Sequence, residues 1–245
     1  MQSNVPAKRP DHWSARPIRS SRCPRRSRSP VSSFVFRLEN GGPLCKARGV
    51  TRSRKRQLEL DWPAGPVRGL DHADARFEGA DLTESDIADC TFRHCEFVNV
   101  RFNCAVLHEV ALLDCTFTGC NFFDAQLSEC RLAGSAFDRC SFSGTVVTGG
   151  DWTEVNLARA DLSLAEFTGV RLHRADLSAA RGRGAVLTTV DFAGATVAQA
   201  DFTGADLRGS VLTAFDPRVA ELRDAVITAE QAVDIAIAAG VQIRL

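Results

Sequence analysis

Long hydrophobic runs are missing from this chain of 245 residues, and no stretch approaches the roughly 18 apolar residues that a membrane span needs. CxxC pairs are missing too, although there are nine cysteines, which removes the usual zinc and dithiol motifs. No glycine-rich phosphate loop is present, because Gly182 and Gly184 do not stand between a strand and a helix. His94, His108 and His173 have no cysteine or carboxylate at ligand spacing, so metal chemistry has no visible ligand set. These absences argue against an enzyme, a cofactor, a metal centre, a small-molecule substrate and a membrane partner. A soluble cytoplasmic protein is the expectation.

Lysine is absent after Lys55, and the formal neutrality of the chain conceals a division. Residues 1–60 hold fifteen Lys and Arg against three acids, whereas residues 61–245 hold fifteen against twenty-seven, giving +12 and −12. The basic part is rich in Arg, Ser and Pro and cannot bury a core, so residues 1–60 read as a disordered tail that is either an inert extension or a weak nucleic-acid contact. Arg25 and Arg26 are not followed by the apolar segment of an export signal.

What the chain does have is a period of five. Stepping from Phe77 to Leu212 gives 28 positions, of which 27 are Leu, Ile, Val, Phe or Trp; the exception, Gly182, predicts a local bulge or defect. Two residues before each such centre the side chain is small. Cys90, Cys95, Cys115, Cys120, Cys130 and Cys140 all fall on that phase and read as reduced apolar fillers. Each pentapeptide therefore turns two side chains inward and three outward. Aromatic centres recur at 20: Phe77, Phe97, Phe117 and Phe137 form one column, and Phe102, Phe122 and Phe142 another. Four pentapeptides then make one coil, and about seven coils make a rod some 33 Å long at the inter-strand spacing of about 4.8 Å. Its backbone edges are roughly 16 Å, about the thickness of a nucleic-acid duplex once side chains are added.

The segments Ala80-Asp81-Leu82, Ala160-Asp161-Leu162, Ala175-Asp176-Leu177, Ala200-Asp201-Phe202 and Ala205-Asp206-Leu207 resemble the signature of the pentapeptide-repeat family. The resemblance implies an all-β solenoid, a right-handed quadrilateral β-helix, spanning residues 66–214. A helical cap is expected over residues 215–245, because a stack of coils must close its open ends. Asp216-Pro217 reads as the start of a short helix through about Arg223. Thr228 to Gln231 reads as a capping box opening a second helix that Gly240 ends, before a short strand at Val241–Ile243. That second helix is apolar over much of its surface, which makes Val233, Ala236 and Ile237 candidate homodimer contacts, as the similar tail of the mycobacterial fluoroquinolone-resistance member implies.

With a uniform interior, function must lie in the outward residues. Between residues 75 and 214 there are nineteen acids and eleven arginines. The side centred on Ile87 carries six acids, Asp86, Asp89, Glu109, Glu129, Glu166 and Asp206, against Arg208 alone. Such a stripe either keeps the rod soluble or imitates phosphates before a basic groove. The family resemblance implies the second: similar members bind DNA gyrase as DNA mimics and reduce the effect of fluoroquinolones. The unbroken register lacks the projecting loops of the plasmid-borne members, so the chain looks more like the mycobacterial type. The alternative is a scaffold for an unidentified protein partner.

Overall fold

The computed structural model describes residues 56–57 and 65–244. The basic tail assigned to residues 1–60 lies outside them except for Arg56–Gln57, which pairs in parallel with Ala75 and Arg76. The ladder thus begins inside the segment expected to be tail.

From there the chain winds with a register of 20 residues. Phe77, Phe97, Phe117 and Phe137 are Cα partners in successive coils, and Ile87 pairs with Leu107, which pairs with Leu127. Every pairing is parallel, as successive coils of a solenoid require. The side centred on Ile87 is a seven-stranded sheet running from Val67–Arg68 to Val186–Thr188, one strand per coil. The Phe77 side has five strands and the Phe92 side three, while the Leu82 side is joined by single bridges such as Asp81 to Arg101 and Arg101 to Asn121.

The difference between sides has a local cause. On the Leu82 side the centre carbonyl accepts a hydrogen bond from the amide three residues on, as in Ser85 to Leu82 at 3.1 Å and Ala125 to Phe122 at 2.9 Å, which closes a turn. The residue before the centre reinforces that turn: Asp81 Oδ1 accepts from the Thr83 amide at 3.1 Å, and Asn121 Oδ1 accepts from the Phe123 amide at 3.0 Å. This is the Asx-turn bond, and it explains why Asp or Asn recurs just before a centre. On the Ile87 side the corresponding residues include Val106, Gln126 and Val146, and the backbone stays extended.

Inside, the phenylalanine columns stack face to face, with centroids 4.9, 4.8 and 4.6 Å apart from Phe77 to Phe137 and 4.7 Å between Phe102 and Phe122. Neighbouring columns meet edge to face, as Phe117 and Phe122 do at 5.8 Å and 65°. Burying each ring contributes about 1.5–3 kcal/mol. The small inward phase has a bonding role as well. Ser135 Oγ donates to the Leu112 carbonyl at 2.7 Å while accepting from the Cys115 amide at 2.9 Å, and Ser210 bonds Leu187 and Val190 in the same way.

Gly182 produces no bulge. Its amide donates to Asp201 O at 2.7 Å and its carbonyl accepts from Ala185, so the ladder continues. The Phe202 ring, from the next coil, fills the space where a side chain at 182 would stand.

The C-terminal end also departs from expectation. Asp216-Pro217 opens no helix: the Val219 and Ala220 amides both bond the Asp216 carbonyl at 3.0 Å, and the chain then resumes the solenoid. The Glu221 amide donates to Ala200 O, Glu221 bridges Asp201, and Val226 bridges Asp206, so the ladder reaches Val226 rather than stopping at 214. Ala220-Glu221-Leu222 repeats the inward pattern, and its cross-coil bonds outweigh the local helix signal. The second helix forms as read, over Ala229–Ala238, with Thr228 and Gln231 in a reciprocal capping box. Gly240, at φ 85°, ends it, and residues 241–244 form no strand. Gln231 is buried, and its amide donates to the Leu207 and Ser210 carbonyls at 2.7 and 2.6 Å, covering acceptors that no further coil would meet. Replacing Gln231 with Ala should therefore cost about 1–3 kcal/mol in chemical denaturation, the cost of stranding buried acceptors.

Candidate protein-interaction surface

Because coils are in register, outward residues 20 apart lie above one another at about 4.8 Å, and their charges either alternate or repel. On three sides they often alternate. Arg101 meets Asp81 at 2.6 Å, Arg174 meets Glu154 at 3.1 Å, Arg181 meets Asp161 at 3.1 Å, and Arg76 meets Glu96 at 3.0 Å. Asp151 stands 3.8 Å from Arg171.

The Ile87 side departs from this arrangement. Of its six acids, Asp206 is held by Arg208 of the same strand row at 2.6 Å, and Asp86 by Arg68 at 2.9 Å. Arg68 lies one coil earlier on this side, ahead of the first repeat at which charges were counted, so it was missed from sequence; its 18-residue separation from Asp86 was the available signal. Asp89, Glu129 and Glu166 have no ion pair among the described residues, and the Glu109 carboxylate lies 3.4 Å from His108 Nε2. All four are exposed.

Asp89, Glu109 and Glu129 occupy the same corner of three successive coils, each with a left-handed backbone, at φ 54°, 53° and 52°. Glycine holds that corner at 69, 149, 169 and 209. A carboxylate column at a position suited to glycine costs both conformational and Coulomb energy, and it stands on three strands of the seven-stranded sheet that runs from Val67 to Thr188. The Glu129 carboxylate leans over Gly149, in the space a side chain there would take. A groove of about 530 Å³ runs along this corner, where Glu129, Gly149 and Gly169 meet Arg131, Asp151 and Arg171 of the adjoining side.

Of the six interior cysteines, five are buried and Cys140 is half-buried. Burial pushes the Cys130 thiol up to about 11. Cys104, on an outward corner, is disulfide-bonded and stands outside that interior set. The seven phenylalanines read as core are all buried, and none reaches the surface. On the C-terminal helix Val233 and Ile237 are exposed and one turn apart, whereas Ala236 is half-buried and Ile235 packs against the core. Val241, past the helix end, is also exposed, at 54%.

A stack of parallel coils built from five-residue units defines a repeat solenoid. Two models of pentapeptide repeats match the sequence, one of a pentapeptide repeat region over residues 85–167 and one of eight-copy pentapeptide repeats over 68–97 and 171–209, together more than half of the chain. The chain belongs to the pentapeptide-repeat family. Among solved structures, a trypsin-treated variant of QnrB1, a plasmid-mediated fluoroquinolone resistance protein, is 20% identical with a TM-score of 0.60, over 74% of this chain and 98% of that one. Full-length QnrB1 is 21% identical with a TM-score of 0.48, over 70% and 100%. HetL from the cyanobacterium Nostoc, a pentapeptide repeat protein involved in heterocyst differentiation regulation, is 21% identical with a TM-score of 0.28, over 64% and 86%. At these identities the likeness to QnrB1 is one of fold. No curated protein sequence matches the chain.

The paired acids set an acid limit on stability. Hydrogen bonds from Arg101 and then Thr83 hold the Asp81 carboxyl at about 2, and Asp201, Asp206 and Asp216 are lowered by hydrogen bonds from Thr203, Arg208 and Arg218. A carboxyl lowered on folding contributes stability that is present above its unfolded pKa and is lost as pH falls through the folded one. The urea midpoint should therefore drop as pH is taken from about 4 to about 2, and Asp81→Asn should make that drop shallower.

Proposed function

We propose that this protein is a non-enzymatic DNA mimic that binds a type II topoisomerase, DNA gyrase, in the cytoplasm and reduces the effect of fluoroquinolones on it. The observation that carries the reading is the Ile87 side, where Asp89, Glu109, Glu129 and Glu166 keep their charge free of arginine on a flat seven-stranded face. A basic groove that accepts a duplex is attracted to a rod of similar thickness whose negative charge lies along one side. Duplex DNA carries about one charge per 1.7 Å, so the imitation is partial and confined to that face. The fold shared with QnrB1 supports the reading, and the unbroken register favours the loopless, mycobacterial type of rod.

In a gyrase supercoiling assay the full chain should inhibit at micromolar levels and should lessen fluoroquinolone-stabilised cleavage. The quadruple reversal of Asp89, Glu109, Glu129 and Glu166 to Lys should abolish both effects while leaving the circular dichroism spectrum unchanged. Undiminished inhibition by that variant would remove the acidic face from the account. A reproducible partner other than a topoisomerase, captured by the wild type and lost by the same variant, would favour the scaffold reading, in which this face serves a different basic protein.

The exposed apolar residues Val233 and Ile237, with Val241 beyond the helix, support a homodimer joined through the C-terminal ends, which would place two acidic faces along one longer rod. Light scattering after size exclusion should give twice the chain mass for the wild type and the single mass for Ile237→Asp. A single mass for both would leave the rod monomeric.

A further inference from the structure

The corner between the Phe77 and Leu82 sides holds two thiols one above the other. Cys120 and Cys140 occupy the same inward phase of neighbouring coils: Asn121 and Ser141 are bridge partners, and the Ser141 amide donates to the Cys120 carbonyl at 3.0 Å. Each thiol points at a backbone carbonyl of the coil before it, Cys120 Sγ to Phe97 at 3.4 Å and Cys140 Sγ to Phe117 at 3.5 Å, so the two sulfurs sit in equivalent places one coil apart. Bridge partners in neighbouring coils have Cα atoms about 4.8 Å apart, inside the roughly 4.4–6.8 Å that a disulfide spans. Cys120 is buried, but Cys140 is half-buried, so a small solute reaches the pair from the solvent side. Cys95 and Cys115 share a register on the Phe77 side, yet both are fully buried.

We propose that Cys120 and Cys140 form an oxidation site that hydrogen peroxide converts into a disulfide, stapling two coils of the rod. Two thiols this close titrate together, and the one that loses its proton first is the nucleophile. In keeping with this, the neighbouring Cys140 thiol lowers Cys120 from the ordinary thiol value, and Cys120 together with burial raises Cys140. The thiolate sulfur attacks one peroxide oxygen; the O–O bond breaks, and the departing hydroxide takes a proton and leaves as water. The second sulfur then attacks the resulting sulfenic acid sulfur; the S–O bond breaks, the S–S bond forms, and a second water leaves. Two thiols are oxidised and one peroxide is reduced, with every proton accounted for.

The crosslink joins residues 20 apart, so it shortens the loops open to the unfolded chain and raises resistance to unfolding. It lies at the corner opposite the carboxylate column, so it stiffens the rod without altering that face.

The test treats the full chain with hydrogen peroxide, alkylates the remaining thiols after denaturation, and maps the digest by mass spectrometry. The expected product is a Cys120–Cys140 linked peptide pair lacking two hydrogens. Cys95 and Cys115 should be recovered alkylated, and the thermal midpoint should rise by several degrees and return on reduction. The linked pair should be absent from Cys140→Ala, a replacement that the same column already holds at Ala160, and from Cys120→Ser, whose residue type occupies this phase at Ser135. Recovery of Cys120 and Cys140 alkylated in the treated wild type would overturn the proposal, as would an unchanged midpoint in the crosslinked chain.

Discussion

Hydrogen bonds between coils join residues about 20 positions apart, and this constant offset governs the rest of the molecule. A residue's neighbours above and below are fixed by it, so an inward phenylalanine must stack on whatever the adjacent coils place there. Four successive phenylalanines in one column answer that demand with ring contacts near 4.8 Å, the spacing of the backbone ladder itself. Outward charges face the same demand without a core to absorb it. Arginine above aspartate or glutamate resolves it on three sides, and the pairs at Asp81 and Arg101, or Glu154 and Arg174, show the solution repeated. The column Asp89, Glu109, Glu129 declines the solution, and that refusal is what gives the Ile87 side its character.

Periodicities of five and of twenty were legible from residues alone, because the inward phases tolerate almost nothing polar without a partner. The ends and exceptions were less so, for a physical reason. Gly182 looked like a defect when its pentapeptide was considered by itself, but its space is filled by Phe202, a full coil away in sequence. Asp216-Pro217 satisfies the local grammar of a helix start, yet Ala220 and Leu222 restore the inward pattern and the ladder claims the segment. In both cases the deciding contact is about 20 residues distant, beyond the reach of local rules. Thr228 and Gln231 were readable because a capping box is local.

The six acids assigned to the Ile87 side share that side, and two of them belong to ion pairs. Arg208 was visible in the same row; Arg68 belongs to the coil before the counted repeats, where a single basic residue changes which acids are free. Part of the difference between sides was encoded in the residue before the centre: Asp81 and Asn121 bind the amide two residues on and bend the chain, Val106 and Val146 leave it straight, and Asp86 in a strand and Arg101 in a turn go against that rule. The flat face and the free carboxylates therefore come from different positions of the same pentapeptides, and they coincide on one side.

The helix Ala229–Ala238 and its Gln231 amide close one end, whereas each interior coil meets its neighbours through the same set of bonds. A duplication or loss of 20 residues in the middle would leave every surviving interface intact and move only the ends apart or together. Length in such a rod is thus inherited in whole coils, and a lineage can fit the reach of its surface to a partner by counting units, without redesigning a single contact.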